Sequence, residues 1–172
     1  MKQINVYEFS ELSSDAQDKA VNALADINVD YDWWQFTEDD AETVGLNIKE
    51  FNLDYRSISV EFTDSATYTA DKIKSEHGDT CYTYKLAQSF IADRDALVEK
   101  YSDGIQTDIV AEDNEYNFDQ ECDELEEEFL KELGEEYLSI LRKEYEYLSS
   151  REAIIETIEA NEYLFTENGK RI

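Results

Sequence analysis

Residues 118–148 read FDQECDELEEEFLKELGEEYLSILRKEYEYL. Apolar side chains recur at Phe118, Cys122, Leu125, Phe129, Leu133, Tyr137 and Leu141, with Ile140 and Leu148 completing the face. Steps of three and four sustained this far predict one amphipathic helix, roughly 45 Å long at the standard rise. Beside the apolar stripe runs a second row, Glu121, Glu124, Glu128, Glu132 and Glu135, thickened by Asp123, Glu126 and Glu127. Gly134 interrupts the run. It weakens a helix by about 1 kcal/mol relative to Ala, so a bend is expected there.

A row of carboxylates is ordinarily a solvated face. Such faces usually interleave Lys with Glu, gaining some tenths of a kcal/mol for each i, i+4 pair. Between Asp119 and Glu136 the only base is Lys131, so the row forgoes that gain and accepts like-charge repulsion. A duplex carries one negative charge per roughly 1.7 Å of axis. A helical row sets carboxylates roughly 5–6 Å apart, so two or three adjoining rows approach the charge density that a DNA-binding protein meets. This chemistry suits the imitation of a nucleic-acid backbone.

Charge elsewhere sharpens the reading. The 172-residue chain has a formal net charge of −28, which repels nucleic acid and membranes and steers the protein toward basic surfaces. Residues 1–64 hold fifteen acids against four bases, and residues 111–150 fifteen against three. The rest is much less acidic. Two acidic surfaces, or one built from both blocks, fit this better than uniform acidity. Like charges brought together on folding also predict a fold that salt stabilises.

Apolar residues make up 41% of the chain, with twelve Tyr, eight Phe and two Trp, enough for one domain, 1–172, with a real core. No proline and five glycines favour long regular elements. Ile4–Phe9 alternates and reads as a first strand. Ser14 with Gln17, and Ser149 with Glu152, are capping-box patterns that open helices. Thr37 followed by Glu38, Asp39 and Asp40 suits another helix start, with Gly45 its stop. Leu46–Phe51 and Ser57–Phe62 read as paired strands; Asp64 or Ser65 caps a helix ending near Gly78, and Thr80–Tyr101 forms the next. Ser102–Asn117 is the most loop-like stretch, an acidic lid before the long helix. Tyr163–Phe165 reads as a last strand.

The expected class is therefore α+β: a small, mainly antiparallel sheet from residues near 4–9, 46–51, 57–62 and 163–166, packed with several helices. Core candidates are Val6, Leu24, Trp33, Ile58, Val60, Phe90, Leu125, Phe129, Leu133, Leu141 and Ile155. Adjacent indoles on a helix point about 100° apart, so Trp33 and Trp34 divide between one core residue and one half-covered neighbour. Trp is also enriched among interface anchors, which makes either a contact candidate.

Motifs for chemistry are sparse. The chain has no G-x-G-x-x-G, no P-loop and no nucleophile elbow. The single histidine, His77, lies four residues before Cys81, but Gly78 between them argues against one helix presenting both. A zinc site needs two further nitrogen or sulfur ligands, and only Cys122 remains. No EF-hand loop occurs. The expectation is no enzyme, no cofactor and no metal. Two cysteines make no disulfide framework, and no signal peptide or spanning apolar run is seen, which predicts a cytoplasmic protein.

The blocks VYEFSELS (Val6–Ser13), DINVDYDWW (Asp26–Trp34), IKEFNLD (Ile48–Asp54), HGDTCYTYK (His77–Lys85), EYEYL (Glu144–Leu148) and IIETIEANEYLFTENGK (Ile154–Lys170) are spread along nearly the whole chain. In these the sequence resembles a family of small acidic proteins of bacteriophages and mobile genetic elements. No catalytic residue or cofactor comes with the resemblance. What it implies is an anti-defence context, in which nucleic-acid mimicry is a recurrent route.

The reading is an inhibitor of a host CRISPR nuclease or restriction enzyme, set in the basic nucleic-acid channel of that protein. It would bind no nucleic acid or membrane itself, and its oligomeric state, homodimer included, is open. Glu121, Glu124, Glu128, Glu132 and Glu135 form the phosphate-like row, Asp30, Asp32, Asp39 and Asp40 a second patch, and Trp33 or Trp34 the apolar anchor. An antitoxin-like or chaperone-like protein that neutralises one basic partner is the alternative.

Overall fold

The structure, a computed structural model, describes residues 5–102 and 111–172. It is α+β, with six α-helices and a two-stranded antiparallel sheet among the described residues. A 3-10 turn (Phe9–Glu11) precedes α1 (Ser14–Ala23) and α2 (Gln35–Thr43); β1 (Leu46–Asn52) and β2 (Ser57–Phe62) follow. Next come α3 (Ala66–Glu76), α4 (Tyr82–Ser102), α5 (Ala111–Leu148) and α6 (Arg151–Ala160). None of these helices is long and apolar enough to cross a membrane.

The chain divides into two compact units, Phe36–Leu141 and the pair of segments Met1–Gln35 and Arg142–Ile172. In the first of these, β1 and β2 form a hairpin with Leu46 opposite Phe62, Ile48 opposite Val60 and Phe51 opposite Ile58. The register slips between Ile48 and Glu50, so one strand carries an extra residue there. Alternation places Leu46 and Ile48 in a core with Val44, Ile73, Phe90, Phe129, Leu133 and Tyr137. Gly45, at φ +82°, ends the turn after α2, a left-handed conformation that glycine adopts without steric cost. Gly134 is buried, and α5 runs through it without interruption. A Cβ there would lie 3.0 Å from Val60 Cγ2 and 3.4 Å from Ile58 Cγ2. The glycine is explained by close approach of helix and hairpin rather than by a break.

The other unit is built from α1, α6 and the segments flanking them. Phe9, Leu12, Ala16, Ala20, Val21, Ile154, Ile158 and Phe165 form its core, with the Phe9 and Phe165 rings edge to face at 6.2 Å. Ser13 caps α1 and Ser150 caps α6, each accepting from the backbone N–H three residues on. Both caps sit one residue away from the serines singled out above (Ser14 and Ser149); the third residue after each true cap is an alanine, so the serine hydroxyl caps alone and no capping box forms. Asn28 is buried; its amide donates to Leu148 O (3.0 Å) and its oxygen accepts from Thr157 (2.7 Å).

The expected sheet is corrected in two places. Residues 5–9 do not form a strand: Tyr7 makes one isolated bridge to Phe165, and Phe165 another to Arg171. Ile4 lies outside the described residues. Neither stretch joins the hairpin, and Val6 is 50% exposed rather than core. α2 begins at Gln35, not after Thr37. Residues 111–117, read as loop, are helical; residues 103–110 of that stretch lie outside the description.

Candidate partner-binding surface

The acidic row lies on α5, but its members have different surroundings. Glu121 is half-exposed but already engaged. Its carboxylate accepts from Lys100 Nζ, 2.8 Å to each oxygen, and from the Tyr101 hydroxyl at 2.7 Å. Lys100, then Tyr101, holds the Glu121 carboxyl below its ordinary range, while the same contacts raise the Lys100 ammonium and the Tyr101 phenol. A glutamate so engaged fastens α5 to the end of α4. It is a poor candidate for partner contact.

Glu124, Glu128, Glu132 and Glu135 are exposed. Glu124 accepts from Gln120 at 2.9 Å, a neutral donor that leaves its charge intact. Lys131 stands 3.9 Å from Glu135, both side chains largely in solvent, a pairing of a few tenths of a kcal/mol at most. Four carboxylates of the row are thus presented on the unit built from residues 36–141.

Glu128 and Glu132 also border a groove between α4 and α5. Leu86, Ser89, Phe90 and Asp93 line it from α4, and Leu125, Glu128, Phe129 and Glu132 from α5. Each set follows the i, i+3, i+4, i+7 spacing of one helix face. Phe90 and Phe129 stack at 4.4 Å with their planes 12° apart. Ser89, Asp93, Glu128 and Glu132 are exposed above the buried Leu86, Phe90 and Phe129. The groove therefore has an apolar floor and carboxylates on both walls.

The second patch is divided between the two units, and its members have different surroundings. Asp40 accepts from the buried Tyr137 hydroxyl at 2.8 Å. His77 Nε2 lies 3.4 Å from Asp40 Oδ1, within ion-pair reach but not aligned as a hydrogen bond. His77, with Tyr137, holds the Asp40 carboxyl below its ordinary range despite partial burial; burial first and then Asp40 push the Tyr137 phenol upward. Nδ1 of His77 is 2.7 Å from the Thr83 hydroxyl. An Asp–His–Thr sequence invites comparison with a nucleophilic triad, yet Thr83 is 4% exposed and offers no reachable hydroxyl. The group ties α2, the end of α3, α4 and α5 together.

Asp39 is exposed, as are Asp30 and Asp32, which belong to the other unit. Trp33 is 7% exposed, packed against Trp34 at 5.7 Å and Tyr145 at 5.5 Å. That corrects Trp33 as an anchor and leaves the half-covered Trp34. Sequence reasoning missed the most exposed large apolar side chains among the described residues, Phe36 at 87% and Tyr55 at 84%. It also missed Asp93, although its place seven residues after Leu86 was readable.

Comparison with known proteins assigns no family. No protein-family model matches the chain, and neither a curated protein nor a solved structure matches it significantly. Among the described residues no three His, Cys, Asp or Glu side chains gather as a metal site, so Asp93, Glu128 and Glu132 border the groove without converging on one point.

Proposed function

We propose that this protein is a stoichiometric inhibitor that seats α5 in the basic nucleic-acid channel of a host protein. The observation that carries the reading is the presentation of Glu124, Glu128, Glu132 and Glu135 in one row, with Lys131 the sole base among them. The row keeps its charge where a merely solvated face would neutralise it. A bacterial defence nuclease, of the CRISPR or restriction type, is the partner that the phage-like resemblance favours, and the host cytoplasm is where the two would meet. The exposed Phe36, on the same unit as the row, supplies apolar area of the kind a protein contact needs.

The test is affinity capture of the tagged chain from a bacterial lysate, followed by competition. A nuclease that is retained, released by salt and displaced by its own nucleic acid supports the reading. The triple change Glu124→Lys, Glu128→Lys, Glu135→Lys should abolish that retention through new like-charge contacts, while Glu152→Lys, Glu156→Lys, Glu159→Lys should preserve it. Retention of the row variant at the original affinity rejects mimicry. Capture of a small basic toxin that nucleic acid does not displace points instead to an antitoxin-like role.

A further inference from the structure

We propose that the groove between α4 and α5 is a receptor for a single lysine or arginine side chain of a basic partner. This rests on the reading of the partner as basic, and adds where and how one of its side chains is gripped. The groove is a shallow, solvent-open one of about 170 Å³, below the roughly 300–1,000 Å³ of small-molecule sites. It suits one long side chain rather than a cofactor or a helix. Its chemistry is graded. Leu86, Phe90, Leu125 and Phe129 give a surface for the apolar stem, and Asp93 faces the pair Glu128 and Glu132 across it. Lysine and arginine match that gradient, since both lay an aliphatic stem on apolar surface and keep a charged head among polar groups.

Several alternatives fit less well. A metal ion wants converging oxygens, and these three carboxylates do not gather as such a site. An uncharged apolar side chain would leave Glu128 and Glu132 side by side with no counter-charge, for neither has an ion-pair partner among the described residues. A phosphate or nucleic acid would be repelled. A larger cleft of about 530 Å³ in the other unit, bordered by Glu8, Glu159 and Glu162, is the natural competitor for a cationic probe.

The test uses the full chain and a fluorescent nona-arginine peptide, titrated near physiological ionic strength. Glu128→Gln/Glu132→Gln should weaken binding by about tenfold or more, as expected for removing charges that contact a seated cation. Ser89→Trp, which plugs the groove without altering charge, should weaken it comparably. Glu115→Gln/Asp119→Asn removes the same charge from the same helix, outside both the groove and the row, and should change affinity less than about threefold. Circular dichroism of each variant confirms the fold.

Equal losses from both α5 pairs, with Ser89→Trp binding as the wild type, would overturn the groove and leave the acidic-inhibitor reading standing, since a diffuse polyanion behaves so. Loss confined to Glu159→Gln/Glu162→Gln would move the cation to the other cleft and also reject the proposal. No binding by the wild type would remove both the groove and the basic partner on which it rests.

Discussion

The buried phenol of Tyr137 on α5 donates a 2.8 Å hydrogen bond to the carboxylate of Asp40 on α2. Hydrogen bonds to charged groups contribute roughly 1.5–3 kcal/mol, and a half-exposed acceptor lowers that figure. Tyr137→Phe keeps the packing and should lower stability by about 1–2 kcal/mol in urea denaturation. An unchanged midpoint would mean that water replaces the phenol without penalty.

The same carboxylate sets an acid limit. Its folded-state pKa lies below the ordinary 3.8, so its contribution is complete above the unfolded value and is lost as pH falls through the folded one. The stability gap between the wild type and Asp40→Asn should therefore shrink as pH falls below about pH 4. Melts of both proteins across that range test it; a gap that widens on acidification contradicts the assignment.

Gly134 faces Val60 at a distance that leaves no room for a large side chain. Gly134→Leu should destabilise by about 2–3 kcal/mol through overpacking. Gly134→Ala sets a helix-propensity gain of about 1 kcal/mol against a contact that Val60 must relieve, and should stay within about 1 kcal/mol of the wild type. Equal effects of the two substitutions would show that the hairpin yields freely.

Net charge predicts a salt response of the whole fold. Raising ionic strength from about 0.01 to 0.5 M shortens the screening length severalfold and should raise the melting temperature by a few degrees. A flat profile would show that the carboxylates are already far enough apart.

The long helix, the hairpin and the helices α3 and α4 were legible because periodicity of one kind persists in each. Phe129, Leu133 and Leu141 are buried as the stripe requires. The strand expected at residues 4–9 was not, because alternation over so short a run cannot distinguish a strand from an isolated bridge followed by a 3-10 turn. Within the site, sequence placed the row on one helix face. It could not see that Lys100 and Tyr101 occupy Glu121, or that His77 and Tyr137 occupy Asp40, since those partners come from other elements. Trp33 and Trp34 do divide into one buried and one half-covered ring, but they sit in the turn before α2 rather than on a helix, and the buried ring is the one packed on Tyr145, more than a hundred positions away in the chain.

Asn28 has a consequence for how the protein is made. Its amide reaches residues 120 and 129 positions further along the chain, and the apolar row of Phe9, Leu12 and Val21 is covered from equally far downstream by Ile154, Ile158 and Phe165. At the usual pace of a ribosome, the early segment waits on the order of ten seconds for its partners. Throughout that interval its apolar side chains lack their cover, and closing so long a loop is entropically slow. The acids threaded through the first 64 residues are then an asset before any partner is met, because a strongly charged nascent chain repels its neighbours.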